Sequence, residues 1–131
     1  MRMAKNQFRI LAVVQAAVAT VGDIYDLNSV ENTTEDELSF LVLHLTQSGG
    51  ASSPTSQILI QTSPDKDAWI DVAEGTQLTA DGTKDEIKDP TLPLLRYVRA
   101  KTVVGGGTAP THSAVVWIAA NVGMPKLKKA A

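Results

Sequence analysis

The sequence predicts an all-β protein, an antiparallel β-sandwich of about seven or eight strands. Short apolar runs alternate with turn residues along the 131-residue chain, a spacing typical of a sandwich. Hardly any stretch has the periodicity of a confident helix. The length fits one domain, which buries roughly two thirds of the unfolded chain's surface on folding.

The first segments are the least regular. Residues 8–21 are rich in Val and Ala and contain neither Gly nor Pro. Alanine favours helix while valine and threonine favour strand, so both remain open for this segment. After a break at residues 22–23, residues 24–27 form a short alternating piece. Residues 28–37 are polar and acidic, and their end fits a capping turn or one helical turn.

The centre of the chain predicts a strong strand followed by a hairpin. Residues 38–45 are apolar on nearly both faces, as expected at the centre of a sandwich. A stretch with the composition of a flexible loop follows at residues 47–56. Residues 57–61 resume as a strand, residues 62–67 carry Pro and Asp where turns favour them, and residues 69–72 are the return strand.

The second half contains fewer clear elements. Residues 77–79 are a candidate short strand, and Asp81-Gly82 is a turn signal. Residues 83–93 are charged and end at a proline. Residues 94–104 alternate, and this places Tyr97, Arg99 and Lys101 on one face of the strand. Residues 105–107 open a long loop, and residues 113–120 are the last predicted strand.

The net charge of −2 is unevenly distributed. Residues 1–10 and residues 125–131 each carry three basic and no acidic side chains, whereas the rest of the chain holds six basic and fourteen acidic ones. We therefore predict a basic arm (1–9), one sandwich domain (10–122) and a basic tail (123–131). The ends are either solvated termini or arms that dock on an acidic protein surface. Nucleic acid is not an expected partner, because no aromatic residue is interleaved with the tail lysines.

The residues that could carry catalysis are sparse. With no cysteine, the chain cannot contain a disulfide, a thiol nucleophile or a thiolate metal site. His44 lies inside the strongest strand and is expected to be a bonded core histidine. His112 follows a glycine-rich stretch, and the neighbouring sequence supplies no second metal ligand. Ser63 is expected to form a turn. We expect no enzyme activity and no cofactor.

Two further kinds of function are weighed and set aside. Asp65, Asp67 and Asp71 offer oxygen ligands but lack the residue order of a calcium-binding EF-hand. The basic start followed by apolar residues 10–14 superficially matches a secretory signal, yet that run is shorter than the 7–15 residues such signals need. Nothing approaches the ~20 apolar residues of a membrane span. We expect a soluble chain without a membrane partner.

Two stretches carry a family resemblance. Residues 58–73 (ILIQTSPDKDAWIDVA) resemble the I-x-x-S-x-D-x-x-x-W-x-x-V hairpin of discoidin-like β-sandwiches, and residues 95–99 (LRYVR) resemble their R-Y-V-R strand. The same signatures recur in small structural proteins of tailed bacteriophages. Those proteins are similar also in length, in a short basic N-terminus and in an opening like residues 18–23 (VATVGD).

The resemblance implies a jelly-roll or discoidin-like sandwich that is a noncatalytic virion structural protein. It implies a capsid decoration or cement protein that binds the outer surface of a phage head, with the major capsid protein as its partner. It further implies a homo-oligomer, often a trimer, assembled in the host cytoplasm and located in the virion. The candidate capsid contacts are the basic side chains of the two ends: Arg2, Lys5, Arg9, Lys126, Lys128 and Lys129.

Alternatives to the head assignment stay open at this point. A tail or baseplate component would share the fold and the host compartment. Discoidin-like modules also bind carbohydrate, usually through aromatic residues on loops, but residues 49–56 and 105–112 contain none. We expect Trp69 and Tyr97 to pack on the core or the sheet, with Trp69 covering the core end of the hairpin. Arg96 or Arg99 is expected to pair with the acidic turns.

Overall fold

A computed structural model describes residues 7–27, 38–47, 53–106 and 110–120. These residues form eight β-strands and contain no α-helix, which confirms the predicted all-β class. The strands are β1 (Gln7–Ala16), β2 (Tyr25–Asp26), β3 (Leu38–Gln47), β4 (Thr55–Ser63), β5 (Ile70–Glu74), β6 (Gly82–Lys88), β7 (Tyr97–Gly105) and β8 (Thr111–Ala120).

The strands form two four-stranded antiparallel sheets. Sheet A has the order β1-β8-β3-β6, and sheet B has the order β2-β7-β4-β5. The longest pairing joins β3 to β8 over ten residue pairs, from Leu38 opposite Ala120 to Gln47 opposite Thr111. Because strand neighbours in sheet A are far apart in sequence, its pairing requires long-range contacts. The predicted antiparallel sandwich is confirmed.

The core lies between the two sheets and is built by alternation along the strands. Side chains in a strand point alternately to opposite faces, so every second residue of β3, β4, β7 and β8 is buried. Fully burying one such aliphatic or aromatic side chain stabilises the fold by about 1.5–3 kcal/mol. The largest apolar members are Phe40, Ile10, Ile58, Ile60, Leu94, Ile118, Val42, Val72, Val98 and Val116.

The opening segment, left open between helix and strand, begins as a strand. In β1 a register irregularity between Arg9 and Leu11 turns both Ile10 and Leu11 toward the core. The chain then crosses to sheet B, where the amide of Gly22 donates to the carbonyl of Ala100 over 2.7 Å. A Cβ atom at Gly22 would collide with the carbonyl oxygen of Ile10, so the crossing requires glycine. Pairing with β8 overrides the helical preference of the alanines.

In the chain after β5, one strand was not predicted and one predicted strand is absent. The charged stretch at residues 83–93 contains β6, which the sequence did not reveal because most of its side chains are exposed at the edge of sheet A. Residues 77–79 are not a strand, since Leu78 makes only an isolated bridge with Ser56. The predicted polar segment at residues 28–37 lies outside the described residues, as do residues 48–52 and 107–109 of the two predicted loops.

Replacing a core isoleucine of sheet B should destabilise the protein far more than replacing an exposed one. Ile60 is 0% exposed, whereas Ile70 on the neighbouring strand is 47% exposed. Ile60→Ala should lower the free energy of unfolding by about 2–5 kcal/mol because it removes buried methyl groups and leaves a cavity. Ile70→Ala should cost less than about 1 kcal/mol. Urea unfolding of both variants measures the difference, and equal losses would contradict this core.

Candidate functional site

An apolar surface covers the outer side of sheet A. Three adjacent rows of paired residues cross it from β1 to β6, and eight of the twelve positions are apolar. The rows are Arg9, Trp117, Leu41 and Ile87; then Ala12, Val115, Leu43 and Asp85; then Ser113, Leu45 and Thr83, which Val14 joins at an irregularity of β1 where its carbonyl oxygen accepts from the Ser113 hydroxyl. We call the eight apolar members the apolar face: Ala12, Val14, Leu41, Leu43, Leu45, Ile87, Val115 and Trp117.

Four members of the apolar face are exposed (Ala12, Val14, Leu41 and Ile87), and the other four are half-buried. Val14 is 89% exposed, Ile87 is 62% exposed and Leu41 is 36% exposed. A shallow groove of about 480 Å³ runs over its middle, between Ala12 and Leu45. Single exposed apolar side chains are common on soluble proteins, but a contiguous patch marks a contact surface.

Charged side chains bound the apolar face at opposite edges. Arg9 is exposed on β1 at one edge of sheet A, and Asp85 is exposed on β6 at the other. They lie in adjacent rows, so the face has one basic and one acidic side. Any partner that covers the face therefore meets a defined charge pattern.

A second exposed apolar strip lies along the connection between β1 and β2. Val18 is 66% exposed, Val21 is 54% exposed and Ile24 is 42% exposed. We call these three residues the flank. Val21 bridges Lys101 of β7, so the flank runs down the side of the sandwich from sheet A toward sheet B.

The outer side of sheet B differs from that of sheet A, because lysine and arginine side chains lie over its two aromatic rings. The Arg99 guanidinium lies 4.1 Å from the centre of the Trp69 ring and donates to the side-chain oxygen of Gln61 over 2.9 Å. The Tyr97 ring faces both Lys66 and Arg96 at 5.0 Å. Such contacts stabilise by about 0.5–1 kcal/mol at exposed sites.

These contacts refine the expectations for the aromatic and arginine side chains. Packing of Trp69 and Tyr97 on the sheet is confirmed, but Trp69 covers Arg99 on the outer side of sheet B rather than the core end of the hairpin. Arg96 pairs with Asp26 of β2 through two hydrogen bonds of 3.0 and 3.1 Å, not with an acidic turn. Arg99 contacts neutral groups, and burial lowers its pKa.

The acidic hairpin turn is held by its own side chains. The Asp65 carboxylate accepts hydrogen bonds from the amides of Asp67 and Ala68 and from the hydroxyl of Ser63, which lowers the pKa of Asp65. Ser63 in turn accepts from the amide of Lys66. Ser63 is therefore a turn residue, as predicted. Within the described ranges, no group of three or more His, Cys, Asp or Glu residues is arranged to hold a metal ion.

Two histidines meet inside the sandwich. His44 is 3% exposed and its Nε2 hydrogen-bonds with Ser56 Oγ at 2.8 Å, which confirms the predicted core histidine. His112 is 1% exposed and its Nε2 lies 3.2 Å from the carbonyl oxygen of Val18 and 3.4 Å from Thr102 Oγ1. The ring centres of the two histidines are 6.4 Å apart. Sequence reasoning missed this pairing, because only the register of β3 with β8 brings the rings together.

The environment of His44 suppresses protonation of its ring. Burial lowers the pKa of His44 to about 4, and the neighbouring His112 acts in the same direction, while Glu86 opposes them weakly. Both rings lie on sheet A and reach hydroxyl groups of sheet B. Their role in the described structure is to join the two sheets.

The six candidate capsid contacts are mostly beyond the described part of the chain. Arg9 belongs to β1, where it is exposed at the edge of sheet A. The other five, Arg2, Lys5, Lys126, Lys128 and Lys129, lie outside the described residues. The structure thus describes one of the six.

No family model and no curated protein matches this chain. The PBSX exported protein XepA is similar with a TM-score of 0.52 at 14% identity, over 89% of this chain and 37% of that one. A xylanase 10C of Cellvibrio japonicus in complex with xylopentaose is similar with a TM-score of 0.47 at 20% identity, over 87% of this chain and 22% of that one. A chain in the structure of the Gx strain of infectious bursal disease virus is similar with a TM-score of 0.44 at 12% identity, over 90% of this chain and 30% of that one.

The similarity to XepA concerns the fold alone, and it agrees with the β-sandwich seen here. This chain spans less than two fifths of the length of each of these three structures. Across the described residues there is no helix with the length and apolar character needed to cross a membrane.

Acid should destabilise the protein through His44. Its pKa is about 4 in the folded state and 6.5 in the unfolded state, so the unfolded chain takes up the proton first as the pH falls. The contribution of neutral His44 to stability is therefore complete at pH values above 6.5, the pKa in the unfolded chain, and it is lost progressively as the pH falls toward about 4, the pKa in the folded protein. Between about pH 7 and about pH 5 the loss should be about 2 kcal/mol, at roughly 1.4 kcal/mol per pH unit.

Urea unfolding across this pH range measures the effect, with His44→Gln as the comparison. Glutamine has a side-chain amide that can hydrogen-bond with Ser56 but does not titrate. The variant should lose clearly less stability than the wild type between the same two pH values. Parallel pH profiles for the two proteins would show that His44 is not the responsible group.

Proposed function

We propose that this chain is a noncatalytic structural protein of a virion, and specifically a decoration or cement protein on the outer surface of a tailed-phage head. The observation that carries the proposal is the amount of apolar surface on a small sandwich. Both the apolar face and the flank are exposed in the isolated chain. Apolar surface of this extent is stabilised when a partner covers it.

A decoration protein needs an exposed surface that can make a modest contact with a shell. It binds a repeating shell in many copies, so each copy needs only a modest contact and the lattice multiplies the effect. The exposed valines and isoleucine of the flank offer such a contact without any deep pocket. The basic residues at the chain ends supply an additional attraction to an acidic shell, which would be weakened by salt.

The interior and the rings of sheet B support a noncatalytic, non-lectin role. The two histidines are buried and contact hydroxyl or carbonyl groups between the sheets, where they hold structure together. Trp69 and Tyr97 face arginine and lysine side chains rather than open solvent. Carbohydrate stacking would require displacing these cations from the rings.

The fold similarity adds modest support for a phage origin, since one similar sandwich is an exported protein of PBSX. The proposal places the chain in the virion, assembled in the host cytoplasm, with the phage major capsid protein as partner. Its freedom from cysteine suits assembly in that reducing compartment. A tail or baseplate role uses the same fold and compartment, and particle imaging separates it from the head role.

The purified chain should bind intact shells assembled from the major capsid protein encoded in the same genome. Co-sedimentation measures the binding, and labelled particles in the electron microscope distinguish heads from tails. Val18→Asp or Val21→Asp should weaken binding by about tenfold or more, because each places a carboxylate in the proposed apolar contact. Val103→Asp, 40% exposed on sheet B, is the matched control.

The basic ends are tested separately. Since β1 begins at Gln7, the N-terminal deletion should stop at residue 6 and spare the strand. Deleting residues 1–6 or residues 125–131 should weaken shell binding, most strongly at low salt. Unchanged binding after both deletions would eliminate the arms but not the decoration role, whereas absence of any binding by the folded wild type would eliminate the role itself.

A further inference from the structure

We propose that the apolar face of sheet A binds the same face of a second copy of this chain, forming a two-fold dimer. The proposed function requires that exposed apolar surface be covered in an assembly, but it leaves the partner of this face unassigned. The dimer follows from three properties of the face: its size, its charge pattern and the way its rows match under a two-fold axis.

The outer side of sheet A is large enough to supply most of a stable interface. Three of its strands are ten residues long and β6 has seven, so at about 4.8 Å between strands and about 3.4 Å per residue this side measures roughly 600 Å². The three rows of the apolar face, about 6.8 Å apart, occupy roughly 390 Å² in its middle. A stable protein interface covers about 800 Å² on each partner. The apolar face can therefore form the centre of such an interface, and the neighbouring outer residues of sheet A extend it.

The charge pattern selects the orientation of the second copy. With a two-fold axis parallel to the strands, β1 of one copy lies over β6 of the other, so Arg9 approaches Asp85 of the second copy at both edges. The two residues are one row apart, about 7 Å along the strand, a distance that an extended arginine side chain spans. With the axis in the plane of the interface but perpendicular to the strands, Asp85 of one copy would face Asp85 of the other, and the two carboxylates would repel each other. The structure thus favours the parallel axis.

The same axis also matches the apolar rows. It places β8 over β3 of the second copy, so Trp117 lies over Leu41 and Val115 lies over Leu43. Each large side chain then meets an apolar partner, and no two tryptophans compete for one position. Facing sheets in sandwiches pack about 10 Å apart with strands aligned to within about 30°, which this arrangement reproduces between two chains.

The outer side of sheet B lacks these properties. It carries the charged side chains of Asp71, Glu74, Arg99 and Lys101, and its rings are covered by cations. Such a surface is stable in water. The contrast between the two sheets assigns self-association to sheet A and assigns Arg9 to an ion pair between copies rather than to the capsid.

Sedimentation equilibrium of the full chain over about a hundredfold range of concentration tests the dimer. The wild type should show a monomer–dimer equilibrium. Leu41→Lys should raise the dimer dissociation constant at least about tenfold, because it buries an unpaired charge on a central strand, against Trp117 of the second copy. Val103→Lys is the matched control: Val103 is 40% exposed on sheet B, Leu41 is 36% exposed on sheet A, and the control should leave the constant within about twofold.

A charge exchange tests the axis. Arg9→Asp and Asp85→Arg should each weaken the dimer, because each opposes like charges, and the double variant should recover most of the affinity. Thermal unfolding of every variant verifies that it is folded. If Leu41→Lys does not fold, Ala12→Glu replaces it, since Ala12 is exposed on β1 in the middle row, where the proposed axis places it over Asp85 of the second copy.

Three outcomes would overturn the dimer: a wild type that stays monomeric, a trimer, or a dimer whose dissociation constant changes with neither Leu41→Lys nor Ala12→Glu. A double variant no better than the singles would overturn the axis. Shell binding is measured on the same proteins. If the protein dimerises but binds no shell, the dimer is supported and the proposed function is wrong. If the folded protein is a monomer that binds shells, the proposed function is supported and the dimer is wrong.

Discussion

The backbone pairing of β3 with β8 is the constraint on which the rest of the structure depends. It runs over ten residue pairs in the middle of sheet A and fixes which face each side chain occupies. Because side chains alternate with a period of two, a slip of one residue would exchange the inner and outer sets of a strand. The register therefore places Phe40 and Ile118 in the core and, at the next positions, Leu41 and Trp117 on the outside.

Both strands of this pair are apolar on both sides, and this has two separate consequences. The inner side supplies the core and most of the burial that stabilises the sandwich. The outer side, paired in the same register, forms the apolar face. In sheet B most of the corresponding outer positions are polar or charged, and Leu59 and Val103 are the apolar exceptions on β4 and β7, so that sheet is better suited to contact with water. The asymmetry between the sheets gives the molecule one side suited to protein contact and one suited to solvent.

The interior is not uniformly apolar, and its polar end joins the two sheets. His44 and His112 extend from sheet A to hydroxyl groups of Ser56 and Thr102 on sheet B. Buried polar groups are costly unless they are hydrogen-bonded, so these contacts are satisfied only when the sheets meet in one relative position. The apolar core supplies most of the free energy, and the histidine contacts connect the two sheets at this end of the interior. The same arrangement makes the fold sensitive to acid, since protonation of His44 opposes its burial.

The sequence by itself determined the sandwich class, the hairpin around Pro64 and the alternation of β7, because these depend on local turn chemistry and on a period-two pattern within one segment. It also indicated that His44 is a core residue. It did not reveal β6, whose exposed side chains carry no apolar alternation, or the strand character of the alanine-rich β1, which pairing with β8 decides. The strongest predicted strand appeared buried on both faces, and only the tertiary structure left its outer face open. The meeting of the two histidines and the apolar face both depend on the pairing of β3 with β8, two strands more than sixty residues apart, and the register of such strands is a property of the folded chain.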